Sequence, residues 1–245
     1  MSENIYLSVI IPAYNEQDRL PKTLEAINAY LKQQPYSYEI IVVNDGSKDR
    51  TSQVVLDSIS HINHLRLIDN HENHGKGYVV RQGMLQAKGE TRVFTDADNS
   101  TSIDHLEKML PEFANGFDVV IGSRDVEGAK MEPAQPLFRR LLGEIFNLIV
   151  QIVVGLWGIW DTQCGFKGFT KEVVEKVFPK CKINRFAFDP EILILAKREG
   201  FKIKEVPVFW KNDARSTVKF NWMVKMLFEV LQIRWNLILG KYVSF

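Results

Sequence analysis

The chain has 245 residues, 45% apolar and 25% charged, and its 31 basic and 30 acidic side chains leave a net charge of +1. That is long enough for one sizeable core. A charge so near balance excludes polyanion binding by overall field, so no nucleic-acid partner is expected and any anion must be held by local clusters. Two cysteines, Cys164 and Cys181, give neither a disulfide framework nor a metal-binding spacing, which fits a reduced, cytosolic setting.

The first half alternates in type. YLSVIIP (6–12) predicts a buried strand, followed by a helix from about 18 to 32. YEIIVVND (38–45) predicts a second strand, with a helix from near 49. HLRLIDN (64–70) is a third, with a helix opening at Gly75 and Gly77. TRVFTDAD (91–98) is a fourth, with a helix from around 103, and FDVVIGS (117–123) is a fifth. Val/Ile runs separated by helices predict parallel strands covered on both faces, a Rossmann-like, mostly parallel α/β sheet. The second half reads differently. It offers a helix over 141–160, a loop carrying DTQCGFKGFT (161–170), a helix from about 189 to 198, a short strand IKEVPVFW (203–210) and a long apolar tail from 220.

No secretory signal is expected, because the only early apolar run, LSVII at 7–11, is strand-sized and PAYNE follows at once. The apolar stretch at 141–160 is interrupted by Glu144, Asn147 and Gln151, so no spanning helix is expected either.

Open parallel sheets bind ligands beyond the carboxyl ends of their strands. PAYNE, NDGS, NHGKG, DADNS and GSR all fall there, which predicts one site built from five strand ends. A nicotinamide enzyme would carry GxGxxG after the first strand, where this chain has PAYNEQDR. DADNS also resembles the nucleophile motif of haloacid dehalogenase-like phosphatases, but there it closes the first strand and here the fourth. As a plain turn, DADNS would let Asp98 or Asn99 cap the next helix. Behind three other strand-end motifs, the paired carboxylates Asp96 and Asp98 suit a hard cation, Mg²⁺ or Mn²⁺, that leaves sites for phosphate.

In this order the motifs SVIIPAYNE, EIIVVNDGSKDRT, NHGKG, DADNS and GSR resemble family 2 glycosyltransferases of the A-type fold. DTQCGFKGFT, RFAFDPEIL and EVPVFWKNDARSTVKF are similar to the branch acting on polyprenyl phosphates, the dolichyl-phosphate glucosyltransferases above all. The resemblance implies a sugar nucleotide donor, a divalent metal, a lipid monophosphate acceptor and inversion at the anomeric carbon. It implies a nucleotide-sugar half over 1–125 and an acceptor half over 126–219; the remaining 220–245 read as a C-terminal amphipathic, membrane-associating helix.

On that reading Pro12, Ala13 and Tyr14 wall the nucleotide base, Asn15 and Glu16 hydrogen-bond the ribose, and Asp45 accepts from the base. Asp45 also reads as an ordinary turn residue before Gly46. Gly75, Lys76 and Gly77 open a helix whose free N–H groups face phosphate. Asp96, Ala97 and Asp98 belong to the donor site, with Asp96, Asp98 and Ser100 as metal ligands. Arg124 binds phosphate oxygens, and Asp161 either orients Arg124 or Lys167 or acts as a base. Asp98, Arg124 and Asp161 are thus the catalytic candidates. Arg139, Arg140, Arg185, Arg215, Ser216 and Lys219 are candidates for the acceptor phosphate, a solvated basic surface being the plainer alternative. The expected reactants are UDP-glucose and a polyprenyl phosphate; GDP-mannose, a different acceptor or a non-catalytic nucleotide-binding module remain open.

Polar positions Arg140, Glu144, Asn147 and Gln151 recur at steps of four, three and four, and so do Lys225, Glu229, Gln232 and Asn236. Each set forms one narrow stripe on an otherwise apolar helix. Two such helices, with Trp157, Trp160, Trp222 and Trp235, predict peripheral docking on the cytoplasmic face of a membrane; a membrane partner protein stays open. Ordinary core helices with their stripes turned to solvent are the alternative.

Overall fold

The computed structural model describes residues 4–133, 137–211 and 220–242, except the side chains of 137–141 and 220–222. Its first half follows the predicted alternation: β1 (Leu7–Ala13), α1 (Leu20–Leu31), β2 (Tyr38–Asp45), α2 (Thr51–Ile59), β3 (Leu65–Asn70), α3 (Lys76–Gln86), β4 (Thr91–Thr95), a 3-10 turn at Ile103–His105, α4 (Leu106–Ala114) and β5 (Val119–Ser123). The rest comprises β6 (Lys130–Glu132), α5 (Leu137–Val154), β7 (Phe166–Thr170), α6 (Lys171–Val177), α7 (Phe188–Arg198), β8 (Ile203–Pro207), β9 (Phe209–Lys211) and α8 (Phe220–Ile238).

Seven strands form the main sheet in the order β3-β2-β1-β4-β7-β5-β8, parallel except for β7, which runs antiparallel to both neighbours. Alternation along β1 divides the core: Leu7, Val9 and Ile11 pack on one face and Ile10 on the other. Order 3-2-1-4 puts a topological switch between β1 and β4, where outgoing loops diverge and leave a crevice.

Two segments differ from expectation. FKGFT, part of a predicted loop, is strand β7. Its pleat sends Phe166 into one core and Phe169 into the other, and a Cβ on Gly168 would lie 2.7 Å from Met109 Sδ. The lysine that made it look polar, Lys167, is only 1% exposed. IKEVPVFW, predicted as one strand, divides at Pro207–Val208. Ile203–Pro207 joins the main sheet, whereas Phe209–Lys211 pairs with β6 in a separate two-stranded sheet. The predicted helix over 141–160 is Leu137–Val154, and Gly155, at φ +90°, ends it. Among the described residues no helix is long and apolar enough to cross a membrane.

Candidate active site

A cleft of about 530 Å³ opens at the switch between β1 and β4. Pro12, Ala13, Tyr14 and Glu16 line it from the end of β1, Asp45 from β2, Gly75 and Lys76 from the start of α3, and Asp96, Ala97 and Asp98 from beyond β4. Tyr14 is exposed, offering a ring face, while Ala97 is fixed from below by the Thr23 hydroxyl donating to its carbonyl at 2.7 Å. Four of the five strand-end motifs therefore converge. The fifth supplies Arg124, which stands to one side with Asp161 and is not part of this wall.

Asp96 Oδ1 lies 2.5 Å from Lys76 Nζ. Asp98 accepts from the Ser100 amide at 2.9 Å and lies 3.7 Å from Arg19, whose guanidinium also chelates Glu16. Burial raises the Glu16 carboxyl above its ordinary pKa, and the Asp98 and Asp96 charges add to the rise while Arg19 opposes it. Three acids thus converge on one wall with two cations beside them. Burial would lower Lys76, but Asp96 and Asp189 outweigh it and hold the ammonium above its usual pKa, so it is charged.

Among the described residues no group of three or more His, Cys, Asp or Glu side chains is arranged to hold a metal ion. The donor set still fits one: two partly exposed carboxylates are hard oxygen donors that leave most of an octahedral shell to phosphate and water. Ser100 was expected as a third ligand, but it is buried outside the cleft wall. Its amide orients Asp98, and its carbonyl accepts from Lys211 at 2.8 Å.

Two other expectations change. Asn15 is not at the cleft; at φ 55° its side chain accepts from the Lys48 amide at 2.8 Å and ties two loops together. The N–H groups of Gly75, Gly77 and Tyr78 are not free for phosphate. Gly77 donates to the Arg185 carbonyl at 3.1 Å and Tyr78 to that of Asn184 at 3.0 Å. Gly75 donates to Asp45, which also accepts from His74. This packing requires glycine at 75, at φ +102°, where a Cβ would meet the Asn184 carbonyl at 2.4 Å. Lys76 alone brings positive charge from this turn into the cleft. Asp45 is held between two amides, and burial still raises its pKa against their pull.

Beside the cleft, Arg124 and Asp161 form a bidentate pair at 2.7 and 2.8 Å, and the Arg124 amide adds a third bond at 3.0 Å. Arg124 also lies 5.6 Å from the Trp210 ring centre. Asp161 is fully buried. Burial alone would raise its pKa, but Arg124 and then Lys167 hold it below the usual carboxylate value. A carboxylate so held is a poor proton acceptor and a good orienting group. Burial pushes the adjacent Cys164 thiol up to about 11, so it is inert.

Asp189, at the first turn of α7, was not singled out from the sequence. It lies 2.7 Å from the buried Lys167 ammonium, and its charge also acts on Lys76. Burial raises its pKa against both lysines. RFAFDPEIL carried the only signal, an acid before proline at a helix start. Arg185 and Phe186 from the preceding loop complete the cleft wall, so Arg185 stands with the donor motifs. Side chains of Arg139 and Arg140, and residues Arg215, Ser216 and Lys219, lie outside the described residues.

On α5 and α8 the polar stripes are partly turned inward. Gln151 and Asn236 are buried, Asn147 accepts from the Thr162 hydroxyl at 3.3 Å, and Glu229 accepts from the Ala187 amide at 3.0 Å. Ile145, Leu148 and Ile152 on α5, and Phe228, Leu231 and Trp235 on α8, face outward, Phe228 at 68% exposure.

Residues 8–178 match the family model described as Glycosyl transferase family 2. The chain is similar to the dolichyl-phosphate beta-glucosyltransferases of Trichomonas vaginalis (37% identical, covering 94% of this chain and 73% of the relative) and Dictyostelium discoideum (37%, covering 97% and 76%). The human dolichyl-phosphate beta-glucosyltransferase is 34% identical, covering 96% and 77%. In fold, it is similar to glucosyl-3-phosphoglycerate synthase from Mycobacterium tuberculosis, crystallised with Mn²⁺, UDP and phosphoglyceric acid. That likeness has a TM-score of 0.71 at 16% identity and covers 97% of this chain and 78% of the other.

Proposed function

This chain belongs to glycosyl transferase family 2, and from that premise we propose that it transfers glucose from UDP-glucose to dolichyl phosphate. The observation that carries the reading is similarity to dolichyl-phosphate beta-glucosyltransferases over 94% of the chain or more, so that both halves lie within the match. The UDP-bound fold relative supports uridine as the base.

In the proposed reaction a phosphate oxygen of the acceptor forms a bond to the anomeric carbon. The bond from that carbon to the diphosphate breaks, and UDP leaves with the electron pair. A phosphate monoester is largely dianionic at pH 7, so it needs no strong base. That agrees with Asp161 as a group that fixes Arg124 and not as a proton acceptor. Asp96 and Asp98 would hold a divalent cation, Mg²⁺ or Mn²⁺, which when bound neutralises charge on the diphosphate. Lys76 can exchange its contact with Asp96 for a phosphate oxygen, and we assign Arg124, which Asp161 holds beside the cleft, as a second cation for the departing diphosphate. Tyr14 supplies a ring face for the base.

The outward apolar residues of α5 and α8 are read as a peripheral contact with a membrane, where a dolichyl acceptor resides. We put that contact on the cytoplasmic face, because two buried free thiols suit a reducing compartment. The test is incubation with labelled UDP-glucose or GDP-mannose, dolichyl phosphate and Mn²⁺ or Mg²⁺, followed by lipid extraction. Label should enter the lipid phase from UDP-glucose only. Transfer from GDP-mannose would overturn the donor, and label in water-soluble products alone would overturn the acceptor.

A further inference from the structure

Away from the cleft, a groove of about 340 Å³ lies between the ends of α5, α7 and α8. Val154, Ile194, Leu237 and Ile238 give it an apolar lining, and Arg198 and Arg234 stand on it. Arg198 ends α7, nine residues beyond Asp189 in its first turn, so at 1.5 Å per residue this arginine is about 13.5 Å along the helix from the site. The groove is therefore not part of the donor cleft.

Both arginines are exposed, and neither has an acidic partner among the described residues. The nearby acid in sequence, Glu199, is already paired with Lys180 at 2.6 Å. The adjacent cation, Lys197, is used otherwise: it donates to the carbonyls of Gly155 and Trp157, fixing the turn that ends α5. Arg198 does sit where a helix C-terminus favours a cation, but that accounts for one arginine and not for Arg234 in mid-helix on α8. Two guanidiniums over an apolar groove suit an anion joined to hydrocarbon. The surroundings point the same way, since Ile152 on α5, Trp235 on α8 and Leu239 just beyond α8 are exposed.

We propose that this groove binds the phosphate headgroup of an anionic membrane lipid, with Arg198 and Arg234 on the phosphate and Ile194, Leu237 and Ile238 against the proximal acyl chain. The proposal rests on the membrane contact inferred above and adds to it a headgroup preference separate from the acceptor. The binding makes no bond and needs no turnover. It would orient the protein on the bilayer by a second point of attachment, distant from the cleft.

Flotation with vesicles of phosphatidylcholine alone, or with phosphatidylserine added, tests it at fixed ionic strength. A basic residue near an anionic surface contributes about 1 kcal/mol, so Arg198→Gln with Arg234→Gln should lower partitioning onto the anionic vesicles roughly thirtyfold. Binding to phosphatidylcholine alone should not change. Lys22→Gln with Lys32→Gln removes the same charge from exposed positions elsewhere and should have little effect. Equal losses in both double variants would overturn the site in favour of a general charge effect, as would an unchanged preference in the arginine variant. Inorganic phosphate, compared with chloride at equal ionic strength, should not displace the protein; displacement would mean a free-phosphate site. Wild-type binding without headgroup preference would overturn this proposal alone, whereas no binding to any vesicle would overturn the membrane contact as well.

Discussion

Gly165→Ala adds one methyl group and aims it at one functional atom. A Cβ at position 165 would lie 1.9 Å from Asp96 Oδ2 and 2.4 Å from Asp96 Cγ. To regain ordinary van der Waals contact, the carboxylate must move by about 1.5 Å. It has room to do so, being about one-third exposed, but only by leaving its position 2.5 Å from Lys76. The stability cost should therefore stay below about 1 kcal/mol. The catalytic cost should be far larger, because misplacing a site group by about 1 Å can cost on the order of a hundredfold in rate. Steady-state transfer of glucose from UDP-glucose, with a Mn²⁺ titration and thermal melting, separates the two effects. Gly143→Ala, in open space on α5, serves as the silent control. Near-normal turnover and metal dependence in Gly165→Ala would refute the assignment of Asp96 to the site, whatever the melting temperature.

Asp98→Ala should abolish transfer while melting stays near that of the unaltered protein, since the change removes a carboxylate and relieves repulsion with Asp96. Asp161→Asn should lower transfer severely and cost about 3 kcal/mol in denaturant unfolding, because a buried partner of Arg124 is lost. Its folded pKa is depressed, so the stability it contributes is present above about pH 4 and lost as pH falls through that lower value. Acid unfolding should therefore be steeper in the unaltered protein than in Asp161→Asn. Glu229→Gln should raise the KM for UDP-glucose several-fold more than it lowers kcat, because Glu229 holds the loop that brings Arg185 and Phe186 to the cleft; an unchanged KM would separate α8 from the donor site. Phe228→Ser with Trp235→Ser should reduce vesicle flotation by more than a hundredfold, given about 1.5 kcal/mol or more per buried aromatic, and leave UDP-glucose binding intact.

Much of the sheet was legible because β1, β2 and β5 are near-continuous Val/Ile runs with a polar motif at the end. Such a run has only one stable setting, between two helical layers. β7 was not legible for the opposite reason. Lys167 and Gly168 look like a loop until Asp189, 22 residues later, neutralises the lysine and Met109 occupies the space a side chain would need. Both conditions are long-range, and neither leaves a local trace. The site divides in the same way. Asp96, Asp98 and Tyr14 sit at strand ends and could be read from position, whereas the use of the α3 amides was misread. The partners of Gly77 and Tyr78 come from the 184–185 loop, which the local sequence around GKG does not encode.

The helices α5 and α8 show how far periodicity reaches. Steps of four, three and four state that a helix has a stripe, but they do not state which way the stripe faces. That phase is decided by hydrogen bonds: Glu229 to the Ala187 amide, and Tyr242 bridging Asn236 to the buried Glu191. Glu191 in turn accepts from the amides of Lys182 and Ile183, just before the loop that covers α3. Polar groups drawn inward for these bonds leave Phe228, Leu231 and Trp235 outside. The same geometry makes deletion of 220–245 an unsuitable probe of membrane contact, since Val230, Ile233 and Tyr242 belong to the core. Losing them would disturb the donor cleft through residues 182–187, so the outward stripe has to be altered residue by residue. The outward apolar face of α8 and its hydrogen bond to the loop that lines the cleft are two sides of one helix.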